Sequence, residues 1–269
     1  MNNIAAFREF IWNFYHNNRR DFAWRNIENP YYVLVSEIML QQTQTHRVID
    51  KYEEFIAAFP TFEMLAASPL RDVLLVWQGL GYYRRARYLH QLAQIVVKEH
   101  AGILPKDPKI LQTLPGIGPG TAGSIGAFAF NIPTIFIETN IRAVFIHCFF
   151  NDKTEVTDKE LLPLVAATVD HDNPREWYYA LMDYGVWCKS QYVNPSRKSA
   201  HYNKQSKFEG SDRQIRAQIL KLIAEKERIA HNDIVSTVHQ ETDRVERIVR
   251  QLLDERFIQK NINDVYSIA

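Results

Sequence analysis

Apolar residues recur along most of this chain at intervals of three and four, the spacing of one buried helical face. Phe7, Ile11, Phe14 and Tyr15 predict a first helix over 4–17. Pro30 stands near the start of a second, over 30–45, where Val33, Leu34, Ile38 and Leu40 surround one acid, Glu37. Helical patterns follow over 48–59, 61–67, 70–78 and 83–100, and Gly79-Leu80-Gly81 predicts a tight turn before the last of them. Leu114-Pro115-Gly116-Ile117-Gly118 is a turn too short for ordinary side chains, and Pro119 suits the first turn of a helix. Residues 121–130 are small and apolar, so that helix packs closely. Helices over 141–149, 159–169 and 176–187 complete this part.

Residues 211–269 change character. Three helical patterns, marked by Ile215 to Ile223, Ile234 and Val238, and Val245 to Leu253, precede two alternating runs about Asn261–Asp264. The alternation predicts a hairpin. Helices with a terminal hairpin resemble a winged-helix module, a likeness that leaves DNA contact undecided. Arg244, Arg247 and Arg250 permit such contact; Asp243, Glu246 and Asp254 weigh against it.

Composition narrows the class. The 269 residues are 46% hydrophobic, enough for a substantial core. No run is apolar for long enough to span a bilayer, and the N-terminus lacks a signal peptide's apolar stretch. The formal net charge of +1 decides nothing about nucleic acid, but its distribution is uneven. Segment 150–187 carries eight acids against three bases, a face expected to point away from a polyanion. Segment 188–221 carries eight bases against two acids, and its start reads as a basic loop or linker. The two cysteines, Cys148 and Cys188, are far apart; they point to a reducing compartment and exclude a four-cysteine site within one chain.

The candidate chemistry lies where these patterns are broken. Glu37 in an apolar setting is either paired or raised in pKa. Gln41, Gln42 and Gln44 form a polar end able to probe base edges. The Gly116–Gly118 turn and the following helix N-terminus suit a phosphate oxygen. Arg19 to Arg25 (RRDFAWR) reads either as a surface loop with a Trp anchor or as a basic edge on which bases stack.

Three blocks carry a resemblance. Ser36-Glu37-Ile38-Met39-Leu40-Gln41-Gln42-Thr43-Gln44, then Gly79 to His90 (GLGYYRRARYLH), then the LPGIG turn with Glu138 beyond it resemble the MutY-type adenine DNA glycosylases. The likeness runs from about residue 5 to 188. It implies an all-α, two-lobed helix-hairpin-helix glycosylase domain (1–188) with a cleft; by the patterns above, a basic loop or linker (189–210) and a small winged-helix-like domain of helices and a β-hairpin (211–269) follow it.

The resemblance also implies roles. Such enzymes flip a base from duplex DNA and hydrolyse its N-glycosidic bond. Glu37 matches the catalytic acid. Glu138 and Asn140 match a carboxylate and amide beside the developing sugar cation, although the family carries Asp where this chain has Glu138. Arg20, Phe22, Trp24, Arg25 and Gly120 match positions of the base pocket. Gln41, Gln42, Tyr82, Arg84, Gly116, Gly118 and Thr121 match DNA-binding positions, with Gln41 and Tyr82 wedging into the base stack. The backbone carbonyls of Gln112, Leu114 and Ile117 match a site for K+ or Na+. Bifunctional relatives carry a Schiff-base lysine where Gly120 stands, so monofunctional hydrolysis is expected.

Two family features are missing: the four-cysteine iron–sulfur loop after Cys188 and the domain that recognises oxidised guanine. No cofactor is therefore required and no cluster is expected. The expected partner is double-stranded DNA with a mismatch or lesion, bound by a monomer in the cytoplasm (on the nucleoid in a prokaryote), away from membranes. Removal of mispaired adenine is the first reading. Removal of thymine or uracil opposite guanine, or lesion binding without catalysis, are the alternatives.

Overall fold

A computed structural model describes residues 3–25, 27–204 and 207–269. In chain order the helices are α1 (Ile4–Asn18), α2 (Pro30–Leu40), α3 (Thr45–Ala58), α4 (Phe62–Ala67), α5 (Leu70–Val76), α6 (Arg84–His100), α7 (Pro108–Leu111), α8 (Pro119–Phe130), α9 (Thr139–Phe149), α10 (Asp158–Thr168) and α11 (Pro174–Gln191). Then come α12 (Asp212–Lys226), β1 (Ile229–Ala230), α13 (His231–Val238), α14 (Thr242–Asp254), β2 (Ile258–Lys260) and β3 (Val265–Ile268). The fold is helical with one small sheet. The chain forms two compact units, one of residues 1–37 and 105–204, the other of 38–104 and 205–269.

The first unit is built on α11, whose Trp177, Tyr178, Ala180 and Leu181 are fully buried. Phe7 of α1 fits between α9 rings, 5.2 Å from Phe145 and 4.9 Å from Phe149. The small residues of α8 have a steric reason. A Cβ on Gly123 would lie 2.7 Å from Phe136, and one on Gly126 would lie 2.7 Å from Thr134, so the extended segment 132–137 can cross α8 only over glycines. Gly185 does the same for α11: its Cβ would meet the Asn140 carbonyl oxygen at 2.7 Å.

Segment 189–210, expected as a loop or linker, is partly built into this unit. A 3-10 turn, Pro195–Lys198, packs on α9, and Ser196 Oγ donates to the Thr139 carbonyl at 3.1 Å. Val156 N–H donates to Lys198 O at 2.8 Å, and Ala200 N–H to Val156 O at 3.0 Å. The acidic surplus of 150–187 is likewise partly internal. Asp183 and Asp170 are buried, and Arg142 grips Asp158 at 2.7 Å.

In the second unit α4 packs along α6, and the fully buried Trp77 meets Phe55 with ring centres 5.8 Å apart. Of the C-terminal elements α12 packs on α5, and α13, α14 and the sheet gather around α12 in the same unit. The expected hairpin is present, pairing Ile258 with Ile268 antiparallel. A third strand, which so short a run could not announce, joins it: β1 pairs Ile229 with Tyr266, giving the order β1-β3-β2. Arg244 and Arg247 of α14 both bind Asp212 of α12 at 2.7 Å, so two of the arginines open to DNA contact are engaged inside the module.

Candidate active site

Glu138 is the N-cap of α9. Its Oε1 accepts the N–H of Asn140 at 2.7 Å and of Ile141 at 3.1 Å, and its Oε2 takes the Asn140 amide at 3.4 Å. A helix N-terminus holds such a group because its first N–H groups lack partners and its dipole favours an anion. Burial pushes the Glu138 carboxyl up, while the two N–H bonds, the Lys189 ammonium and the Asn140 amide oppose that shift.

Glu37, on α2, sits in a different environment. Burial raises its pKa from 4.5 to about 7. A hydrogen bond with Ser124 of α8 works against the shift, and the nearby Glu138 charge adds to it. Two carboxyls thus share one region with unequal surroundings. Burial raises both carboxyls; at Glu138 the helix donors, a lysine and an amide work against that shift, and Glu37 retains a proton near neutrality. The Oδ1 of Asn140 is buried without a hydrogen-bond partner among the described residues, while its amide nitrogen serves Glu138.

The RRDFAWR edge resolves into an ion triad under an aromatic stack. Arg25 is 4% exposed and donates to both oxygens of Asp183, at 2.8 and 2.7 Å. Arg20 adds its Nε at 2.6 Å and its backbone N–H at 3.0 Å to the same carboxylate. Phe22 stacks on Trp24 with centres 4.9 Å apart, and the Arg25 guanidinium lies 4.5 Å from the Tyr179 ring centre. Trp24 and Arg25 are therefore buried supports, whereas Phe22 and Arg20 keep part of their surface open. Removing one partner of a buried ion cluster strands the others. Asp183→Ala is expected to cost about 3–5 kcal/mol in urea unfolding, against about 1 kcal/mol or less for Asp158→Ala at the rim.

In the hairpin, α7 and α8 flank a turn in which Gly116 has φ +80°, closed to ordinary residues, and Gly118 is the N-cap of α8. Gly120 lies in the first turn of α8 with room for a side chain: its Cβ would come no closer than 3.9 Å to the Ile137 carbonyl. Thr121 follows, half-buried. The Leu114 carbonyl accepts the Ile117 N–H at 3.2 Å and keeps a second lone pair. Among the described residues no group of three or more His, Cys, Asp or Glu could hold a metal, and Cys148 and Cys188 form no disulfide.

The remaining predicted residues lie in the second unit. Helix α2 stops at Leu40, short of the expected 45, because Gln42 is left-handed at φ +55°. Gln41 is half-buried and Gln42 exposed. Of the three arginines after the glycine turn, Arg84 pairs with Glu255 at 3.0 Å. Arg85 is buried rather than solvent-facing. It donates to the carbonyls of Ile38, Met39 and Gln41 at 2.9, 2.7 and 2.6 Å, to Thr43 Oγ1 at 2.9 Å, and to the carbonyls of Leu80 and Gly81 at 3.3 Å. One guanidinium thus ties the Gln41 loop to the Tyr82 loop.

Sequence reading missed Asp183, Ser124, Lys189 and this use of Arg85. Asp183 carried a signal, an acid amid the apolar face Ala180, Leu181 and Tyr184; the others carried none.

The chain matches the model of the HhH-GPD superfamily of base excision DNA repair proteins over residues 35–166. It is 31% identical over 226 residues to the adenine DNA glycosylase of Mycolicibacterium smegmatis, covering 78% of this chain and 77% of that protein. It is 37% identical over 186 residues to the adenine DNA glycosylase of Buchnera aphidicola subsp. Baizongia pistaciae, covering 67% of this chain and 52% of that one. Against several such relatives the chain spans about half their length. A thermostable thymine-DNA glycosylase shares the fold with a TM-score of 0.62 and 25% identity, covering 74% of this chain and 96% of that one. The chain belongs to the adenine DNA glycosylase family, of the MutY type, within that superfamily.

Proposed function

We propose that this protein extrudes a mispaired adenine from duplex DNA and hydrolyses its N-glycosidic bond with water. The observation that carries the reading is the pair of neighbouring carboxyls: a proton retained on Glu37 up to about pH 7, and at Glu138, also raised by burial, two backbone N–H groups and Lys189 that work toward the anion. Adenine leaves poorly until protonated, so Glu37 delivers a proton to its imidazole ring. The sugar gains positive charge as the bond stretches, and the Glu138 carboxylate stabilises it electrostatically. Asn140 holds that carboxylate, and its unpaired Oδ1 is an acceptor suited to the attacking water.

The remaining roles follow. Phe22 and Arg20 line the base pocket, with Trp24 and Arg25 behind them. The first turn of α8, from Gly118 to Thr121, receives a phosphate; the carbonyls of Gln112, Leu114 and Ile117 would hold K+ or Na+, which would supply positive charge for that phosphate. Gln41, Gln42 and Tyr82 enter the base stack, and Arg84 meets the DNA backbone. We place the protein in the cytoplasm, and on the nucleoid if the cell is prokaryotic.

The direct test is single-turnover excision on duplexes with adenine opposite 8-oxoguanine, guanine or cytosine, and thymine or uracil opposite guanine, each read with and without alkali. Adenine release with strand cleavage only after alkali is the expected result. Release of thymine or uracil alone would move the protein to the mismatch activity, and binding without release would remove the enzyme reading. Gly120→Lys is expected to add alkali-independent cleavage and a borohydride-trapped adduct, because the added amine has room and reaches the position of a Schiff-base lysine.

A further inference from the structure

We propose that the C-terminal module takes part in base extrusion, with Arg213 of α12 as a positioning residue for Tyr82. The proposal rests on the reading of Tyr82 as a wedge and goes beyond it by bringing in residues 211–269.

Tyr82 adopts φ +48°, directly after Gly81 at +71°. A bulky residue there is strained, and such strain persists only where the surroundings over-determine it. Two arginines are part of those surroundings. Arg85 fixes the turn from below the backbone through the Leu80 and Gly81 carbonyls, with its guanidinium carbon 5.4 Å from the Tyr82 ring centre. Arg213 donates Nη1 to the Tyr82 hydroxyl at 2.7 Å, its guanidinium carbon 5.6 Å from the same ring centre. A second anchor, Nη2 to the Lys207 carbonyl at 3.4 Å, ties Arg213 to the segment leading into the module.

The module is well fixed for this task. Arg71 of α5 donates to the Ala224 carbonyl at 2.7 Å and pairs with Glu227 at 3.1 Å. Glu255 accepts Arg84 at 3.0 Å and Arg216 at 2.5 Å, and its carbonyl accepts Arg87. Both Arg87 and Arg216 lie within 5.0 Å of the ring centre of the fully buried Phe257. These contacts fix α12 against α5 and tie it through Glu255 to α6. A half-buried aromatic tethered at its hydroxyl has lost its rotamer freedom before DNA arrives, so insertion does not carry that cost.

The test uses the full chain. Arg213→Met is expected to slow extrusion about tenfold, the worth of one hydrogen bond to a charged group. The readouts are single-turnover excision at saturating enzyme and the fluorescence of 2-aminopurine beside the target base. Tyr82→Phe, which keeps the ring and removes the hydroxyl, should give the same loss, and the double variant no further loss. Lys226→Met, which removes an exposed cation from the same helix, should leave the rates unchanged. Wild-type extrusion in Arg213→Met or Tyr82→Phe, with Tyr82→Ala slow, would overturn the role of Arg213 and leave the wedge standing. Wild-type extrusion in Tyr82→Ala would overturn the wedge itself. Faster extrusion in Arg213→Met would make Arg213 a restraint, which also overturns the proposal. Should Arg213→Met fail to fold by circular dichroism, Tyr82→Phe decides alone.

Discussion

Glu37→Gln is expected to slow single-turnover base release by about 10²- to 10⁴-fold, the span a positioned proton donor contributes. In the wild type the rate should be flat below about pH 7 and fall roughly tenfold per unit above it, as the donor loses its proton. The same residue should leave a stability signature of opposite sense. Its carboxyl titrates near 4.5 when exposed and about 7 in the fold. Between those values the native state holds a proton that the unfolded state has released. Stability from this group is thus fully present below 4.5 and is lost as pH rises through 7, up to about 3 kcal/mol in all. Gln cannot ionise, so Glu37→Gln should be more stable than wild type at pH 8 and near parity at pH 4. Urea unfolding at the two pH values measures this. A variant both inactive and equally stable at each pH would mean that Glu37 is not the buried proton carrier.

Glu138→Ala is expected to slow release by about 10²- to 10³-fold, as removal of one preorganised stabilising group does. Duplex affinity should be unchanged or tighter, since one anion fewer faces the phosphates. The variant also loses the α9 cap, worth about 1 kcal/mol. Glu138→Asp separates the two functions. Asp caps as well as Glu, so stability should hold, while the reach of the carboxylate towards the sugar changes by one methylene. Filter binding beside single-turnover excision would show the split. Equal loss of binding and release in Glu138→Ala would point to a collapsed α9 instead of an electrostatic role.

Much of this was legible in the sequence where local rules act. The helix periods predicted α1, α6, α8 and α12 to within a few residues, because apolar spacing fixes which face is buried before any partner is known. The hairpin turn, the small residues of α8 and the acid inside α2 each depend on neighbours within one or two turns, so their types and spacing carried the meaning. Tertiary structure decided what depends on distant partners. Asp183 counted among surface acids until Arg20 and Arg25, more than 150 positions away, made it the centre of an ion cluster. Nothing near Arg85 in sequence announced that six oxygen acceptors from the end of α2 and two loops would enclose it. Lys189 stood in a basic loop with no sign that Glu138 lay nearby. The unequal surroundings of Glu37 and Glu138 follow the same logic. The sequence by itself determined that two carboxyls were present; only folding set one at a helix N-terminus and the other in an apolar wall, because a pKa responds to the donors, charges and burial that distant segments bring to it.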